Sequence, residues 1–259
     1  MAEQRTPLLE LQGVSKRFGS VQALYQVDFR AFTGEVMALV GDNGAGKSTL
    51  IKGIAGIHTF NGGEIFFDGM PVNINNPRDS GNLGIEVVYQ DLALADNLDV
   101  VANMFLGREK TSLGFHLSEE EMERATIDTL DSLAVSTLQS VRQKVSGLSG
   151  GQRQAIAVAK AVMWNSRLVI LDEPTAALGV AQTRQVLDLV RRLASQGLAV
   201  ILISHNLHDV FEAADRVTVL RLGQNVGEYA IADTTQPDIV HAITAGTLKR
   251  VPGMQEDKS

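Results

Sequence analysis

Apolar residues in this chain gather in short runs whose spacing changes character twice. Three runs open it, Leu8 to Val14, Val21 to Phe29 and Val36 to Val40, with breaks at Gly19 and Gly34. Alternating positions bounded by turn residues predict strands, the first two as an antiparallel pair. Glu64 to Phe67 predicts another strand, closed by a turn at Asp68-Gly69, and Ile85 to Val88 a short buried one ending at Tyr89-Gln90. From Asp91 to about Trp164 the pattern turns helical and the strand signals vanish. There Ser118-Glu119-Glu120-Glu121 predicts a capping box opening a helix with Met122, Ala125, Thr129 and Leu133 on one face. Its acidic run reads as a solvated first turn favoured by the helix dipole.

Continuous apolar runs resume at Leu168 to Leu171, Ala199 to Ile203 and Val217 to Leu220, each long enough for one buried strand. Between the first two, Val186, Val190 and Leu193 mark one face of a helix that stops at Gly197. A turn at Gly223 then leads into Val226-Gly227-Glu228-Tyr229, the second arm of a hairpin. Strands alternating with helices predict an α/β fold: a mostly parallel sheet with helices on both faces, an N-terminal antiparallel β region and an inserted helical lobe. The expected division is a core over 1–90 and 165–245, a helical lobe over 91–164, and a disordered tail over 246–259. No internal repeat is present.

Composition changes this picture little. The 259 residues suit one core with a side lobe, and 44% hydrophobic content with a mean hydropathy of +0.04 indicates a globular, soluble chain. The longest purely apolar run, Leu198 to Ile203, is far short of the roughly 18–20 residues that cross a bilayer. No secretory pattern follows Met1, so a cytoplasmic place is expected. The absence of cysteine excludes disulfides and thiolate metal sites. A net charge of −7 argues against a non-specific nucleic-acid binder.

The most informative segment is Gly41-Asp42-Asn43-Gly44-Ala45-Gly46-Lys47-Ser48-Thr49, which matches G-x-x-x-x-G-K-[ST] between a predicted strand and a predicted helix. Its glycines let backbone N–H groups converge on phosphate oxygens, and the helix N-terminus adds partial positive charge. Lys47 would reach the β- and γ-phosphates and Ser48 would hold Mg²⁺. The chain is expected to bind a nucleoside triphosphate. Asp172 and Glu173 follow the apolar run Leu168 to Leu171, at the strand edge where open α/β sheets place ligands. Asp172 suits the Mg²⁺ shell and Glu173 the polarising of a water, which favours a hydrolase over a kinase.

Leu148-Ser149-Gly150-Gly151-Gln152 precedes a helix from Arg153 to Met163. Taken alone, it reads either as an ordinary helix cap or as a hydroxyl and N–H groups offered to an anion. Together with the two preceding motifs, in this order, the chain resembles the nucleotide-binding subunits of ATP-binding cassette (ABC) transporters over roughly residues 8–245. The resemblance implies an ABC-type ATPase with a P-loop ATPase core that uses ATP and Mg²⁺. Phe18 then matches the aromatic that stacks on adenine. Gln90 matches the glutamine that senses γ-phosphate and metal and links to the membrane subunit. His205 matches the switch histidine at the γ-phosphate, and Leu148 to Gln152 match the LSGGQ signature.

The implied site therefore comprises Glu173, His205 and Gln90 for catalysis and Ser48, Gln90 and Asp172 for the metal. Nucleotide contacts fall to Phe18, Gly41, Asn43, Gly44, Ala45, Gly46, Lys47, Ser48 and Thr49, and to Ser149, Gly150, Gly151 and Gln152. Ala176 and Gly179 stand where most members carry Ser and Asp, which leaves open the carboxylate contact expected there across the dimer. The run Pro174 to Val180, the run Tyr89 to Val100 and the segment Val141 to Gly147 are similar to the branch importing simple sugars. One set of motifs matches its single-cassette, fructose-type form.

The resemblance implies two copies arranged head to tail, Ser149 of each facing the nucleotide on Lys47 of the other, with ATP closing the pair and hydrolysis releasing it. It further implies membrane permease subunits, whose cytoplasmic helix docks near residues 91–107, and indirectly an extracytoplasmic sugar-binding protein. The expected location is the cytoplasmic face of the inner membrane, peripherally, with no nucleic-acid partner. Competing readings are an ABC ATPase for another small solute and a soluble ABC ATPase in repair or translation. The repair class needs long coiled coils and the translation class two cassettes, and this chain has neither. A GTPase would need an Asn-Lys-x-Asp run, and no Asn-Lys pair occurs.

Overall fold

The computed structural model of the protein describes residues 5–112 and 116–246, so residues 247–259 of the expected tail lie outside it. In chain order come β1 (Leu9–Phe18), β2 (Val21–Ala31), β3 (Val36–Val40), α1 (Lys47–Ile54), β4 (Gly62–Phe67), β5 (Met70–Val72), α2 (Pro77–Asn82) and β6 (Ile85–Val88). Next are α3 (Val100–Phe105), β7 (Thr111–Ser112), β8 (His116–Leu117), α4 (Glu119–Ser132) and α5 (Gly150–Val162). The last stretch holds β9 (Leu168–Asp172), α6 (Val180–Ser195), β10 (Ala199–Ile203), α7 (Leu207–Ala213), β11 (Arg216–Arg221), β12 (Gln224–Ala230) and α8 (Gln236–Ala245).

Among the described residues the larger sheet has the order β12-β11-β3-β10-β9-β6, parallel except for the terminal β11–β12 hairpin. A second sheet, β2-β1-β4-β5, is antiparallel throughout. The runs that read as uniformly apolar are in fact divided by the two-residue period of the strand. On β3, Val36, Ala38 and Val40 face a core shared with α3, α4, α5, α6, α7 and α8. Met37 and Leu39 face a second core with β1, β2 and α1, where Leu50, Ile51 and Ile54 are buried. Both sheet faces are covered, as expected, although the antiparallel sheet supplies much of one cover. Helix α1 is held there by burial, each such side chain contributing about 1.5–3 kcal/mol.

Three expectations are corrected. Strand signals do not vanish over 91–164, because β7 and β8 form a short hairpin there. The Ser118 capping box does not form either. Ser118 is the N-cap of α4, but its side chain makes no capping bond. Its amide donates instead to the Lys110 carbonyl at 2.9 Å, and Glu121, which would have reached back to that amide, is paired with Lys110 Nζ at 2.5 Å. β1 runs past the expected Val14 to Phe18, since register shifts between Leu11 and Arg17 break the alternation without ending the pairing.

Candidate functional site

Parallel order places the C-terminal ends of β3, β6, β9 and β10 along one edge, and each end carries one of the sequence motifs. Those after β3, β6 and β9 meet in a cleft of about 570 Å³, while His205, after β10, lines a neighbouring pocket together with Gly41. The cleft lining includes Asn43 to Thr49 from the loop after β3, Gln90 after β6, and Asp172 and Glu173 after β9.

The phosphate loop owes its shape to two glycines. Gly41 adopts φ +152°, and a Cβ there would collide with the Leu220 carbonyl of β11. Gly46, with φ +105°, is the N-cap of α1 and offers no side chain to its first amides; a Cβ there would meet Leu24 Cδ2 at 2.7 Å. The first N–H groups of α1 thus lack a side-chain cap and open onto the cleft. Lys47 folds over the loop and donates from Nζ to the carbonyls of Gly41 at 2.6 Å and Asp42 at 3.1 Å. Burial lowers its pKa, partly opposed by Glu173, Asp42 and Asp172. The lysine therefore gains from any anion that enters.

Opposite it, Asp172 is pushed above the ordinary aspartate range, mainly by burial and then by Glu173, with Lys47 and Lys52 acting against the shift. Burial and Asp172 likewise raise the neighbouring Tyr89 phenol. Glu173 leaves its strand with φ +51°, a conformation that costs a non-glycine residue about 1–2 kcal/mol. Its amide donates to the Ile203 carbonyl at 3.0 Å, which ties the turn to β10. His205 Nδ1 lies 2.7 Å from Glu173 Oε2, a contact needing one proton between them, carried on Nδ1 when the carboxylate accepts. The imidazole is 75% exposed, so its other edge faces outward. Behind it, Thr175 Oγ1 donates to buried Asp209 at 2.6 Å and Asn206 Nδ2 to the same carboxylate at 2.9 Å. These bonds fasten the Glu173 turn to the start of α7.

Ser48, Gln90 and Asp172 offer a hydroxyl, an amide oxygen and a carboxylate to one cleft. Such hard oxygen donors fit Mg²⁺, which keeps several waters and takes remaining ligands from phosphate. Burial, and after it the charge of Glu173, raises the pKa of Asp172, and a cation beside the carboxylate would offset both.

Other expected residues stand apart. Phe18, at the end of β1 and 48% exposed, packs edge-on against His58 rather than lining the cleft, whose corresponding wall is Val21, Gln22 and Ala23. No cleft-lining residue comes from 149–152. Ser149 caps α5, its Oγ accepting from the Gln152 amide at 3.3 Å while the Gln152 side chain accepts from the Ser149 amide at 2.9 Å. Gln152 Nε2 is also bonded to the Thr137 carbonyl at 2.7 Å. Gly151 faces Gln182 and Gly150 faces Leu178 of the segment leading into α6. The sequence reading missed Val21 to Ala23 and Leu222, because they belong to a neighbouring sheet and a hairpin turn and carry no motif.

On a different face, a groove of about 250 Å³ runs between the end of β6, Asp91 to Ala93, Leu106 and α5. Arg108 stacks on Trp164 at 5.2 Å and pairs with Glu86 at 3.3 Å along its wall.

Residues 24–176 match the family profile described as ABC transporter. The chain is 44% identical over 244 residues to the fructose import ATP-binding protein of Rhizobium meliloti, covering 92% of this chain and 94% of that protein. It is 45% identical over 244 residues to the xylose/arabinose import ATP-binding protein of Sulfolobus acidocaldarius, covering 94% and 96%. A ribose import ATP-binding protein of Yersinia pestis is 41% identical over 253 residues, 98% of this chain but 49% of that one. Among solved structures, a nucleotide-free ATP-binding cassette from an ABC transporter superposes with a TM-score of 0.78 at 26% identity, covering 87% of this chain and 92% of the other.

Proposed function

The chain belongs to the ABC transporter ATP-binding family, and from that premise we propose that it hydrolyses ATP to power import of a simple sugar. The supporting observation is the convergence of Lys47, Ser48, Gln90, Asp172 and Glu173 on one cleft. In this reading the free amides of α1 and Lys47 hold the β- and γ-phosphates, while Phe18 stacks on adenine. Ser48, Gln90 and Asp172 would hold Mg²⁺, which would supply charge neutralisation at the phosphates. Glu173 takes the proton of the water whose oxygen bonds to the γ-phosphorus as the bond to the β–γ bridging oxygen breaks and ADP leaves, and His205, through its contact with Glu173, orients that carboxylate and faces the γ-phosphate.

Ser149 to Gln152 lie outside the cleft of their own chain, which supports a head-to-tail pair in which each signature closes the partner's nucleotide. We assign residues 91–164 to a helical subdomain, and the Trp164–Arg108 groove to the cytoplasmic helix of a permease. No helix among the described residues is long and apolar enough to cross a membrane. The chain would therefore act peripherally at the inner face, beneath a permease fed by an extracytoplasmic binding protein.

The test is uptake into proteoliposomes carrying the permease that co-purifies with this chain. Monosaccharide uptake should require ATP and disappear with Glu173→Gln. ATP-driven uptake of some other small solute, with no monosaccharide moved, would replace the sugar reading.

A further inference from the structure

His58 follows α1 in the chain and sits between two rings. It meets Phe18 edge-on at 5.3 Å and Phe60 edge-on at 6.1 Å. Both ring nitrogens are shielded from solvent, and neither makes a hydrogen bond of good geometry. Buried polar atoms left this way cost stability, so a purely structural filler would be better served by a hydrocarbon side chain. Burial, followed by the charge of Lys16 and with a smaller contribution from Lys52, lowers the imidazole pKa despite the nearby backbone carbonyls of His58 and Thr59; the ring is neutral at physiological pH. A neutral imidazole can pack against aromatic edges without importing charge.

The segment carrying His58 is fastened to β1 at three points. Lys16 Nζ donates to the Thr59 carbonyl at 2.5 Å while lying 5.0 Å from the Phe18 ring centre. The Asn61 amide donates to the Ser15 carbonyl, and the Arg17 amide to Asn61 Oδ1, both at 2.7 Å. At its other end the stack rests on α1. The Phe60 ring occupies the space where a Cβ of Gly53 would be, so a glycine inside the helix makes room for it at the expense of helix propensity. One helix therefore presents the phosphate-facing amides at its N-terminus and seats, near its C-terminus, the rings that brace Phe18.

We propose that His58 is a positioning residue for the nucleobase, holding Phe18 edge-on so that the base platform keeps a fixed separation from the phosphate loop. This rests on the reading of Phe18 as the surface on which adenine stacks. His58 itself touches no ligand; it acts through Phe18.

The experiment compares ATP with inorganic tripolyphosphate, which lacks a base, by titration calorimetry on the full chain and on His58→Leu, His58→Phe and Phe18→Ala. The leucine keeps the volume without a ring edge, and the phenylalanine keeps the ring. His58→Leu should weaken ATP about threefold to tenfold and leave tripolyphosphate unchanged. His58→Phe should restore ATP to within about twofold, the scale of one modest ring contact. In hydrolysis assays the KM for ATP should rise for His58→Leu with kcat unchanged. Equal losses for both ligands, no loss for either, or a phenylalanine variant as impaired as the leucine one would overturn the proposal. Selective loss of ATP in Phe18→Ala but not His58→Leu would keep the platform and remove the role of His58. No selective loss in Phe18→Ala would remove both.

Discussion

Helices α1 and α5 both begin at glycine-rich loops, yet their N-termini are finished in opposite ways. α1 starts at Gly46 in a left-handed conformation with no side-chain cap, and its first amides open onto the cleft beside Lys47. α5 starts at Ser149 in an extended conformation, and a reciprocal bond with Gln152 satisfies its end internally. The first leaves its opening amides uncapped and turned to the cleft. The second is a finished surface that still has a hydroxyl proton to offer. Two glycine-rich helix starts thus differ in one respect: the α1 end leaves its first amides without a side-chain partner, and the α5 end supplies its own.

The sharpest way to separate the two is to stop the chemistry while keeping both ends intact. Glu173→Gln should lower kcat by about 10²–10⁴-fold with ATP affinity preserved, and should trap an ATP-bound pair visible by light scattering. Hydrolysis at the parental rate would sink the assignment of Glu173. Damage to the open end comes next. Lys47→Ala should weaken ATP by roughly 30-fold or more, since a charge-assisted bond inside a half-buried cleft is lost. Calorimetry reads this directly, and unaltered affinity would refute the phosphate-loop role.

Damage to the capped end should look different. Ser149→Arg in the Glu173→Gln background should leave ATP binding to single chains within about twofold, because the signature lies outside its own cleft, yet should abolish the ATP-dependent pair. A trapped dimer in that double variant would show that the signature does not act across the interface. Ser149→Ala removes only the cap and should cost about 1 kcal/mol, a loss of roughly 2–4 °C in melting temperature for a chain of this size.

The smallest effect is a gain. Asp172 has a raised folded-state pKa, so its burial penalty is absent below the ordinary aspartate value and builds as pH rises through the folded value. Asp172→Asn should therefore raise the melting temperature of the nucleotide-free protein at pH 7, the advantage shrinking as the pH is lowered, while hydrolysis is lost. An asparagine variant that melts lower at pH 7 would contradict that electrostatic picture.

Much of this site was legible in the sequence, because phosphate chemistry restricts both residue types and spacing. Lys47, Ser48, Asp172 and Glu173 are named from motifs, Gln90 from the family resemblance, and all five share the cleft. What could not be read was supplied by pairing between distant segments. Val21 to Ala23 line the cleft only because β2 packs beside the phosphate loop, and Leu222 only because the β11–β12 turn reaches it. The Ser118 box failed for a similar reason, its amide having been taken by Lys110 across the β7–β8 hairpin. The brace behind Phe18 had no motif at all, since His58 and Phe60 gain meaning only from the space that Gly53 leaves. Helix and strand types were readable where burial was one-sided or continuous; local capping and bulges were not.

The position of β3 at the middle of its sheet has a consequence for how the molecule is born. Its hydrogen-bonded neighbours are β10 and β11, which begin at Ala199 and Arg216, and the Gly41 turn rests on the Leu220 carbonyl. The loop after β3 is thus held by strands far downstream of it, and its shape waits on pairings of large sequence separation. A chain cut back before β10 should therefore carry the glycine motif without its supporting walls, and calorimetry should find no ATP binding to it.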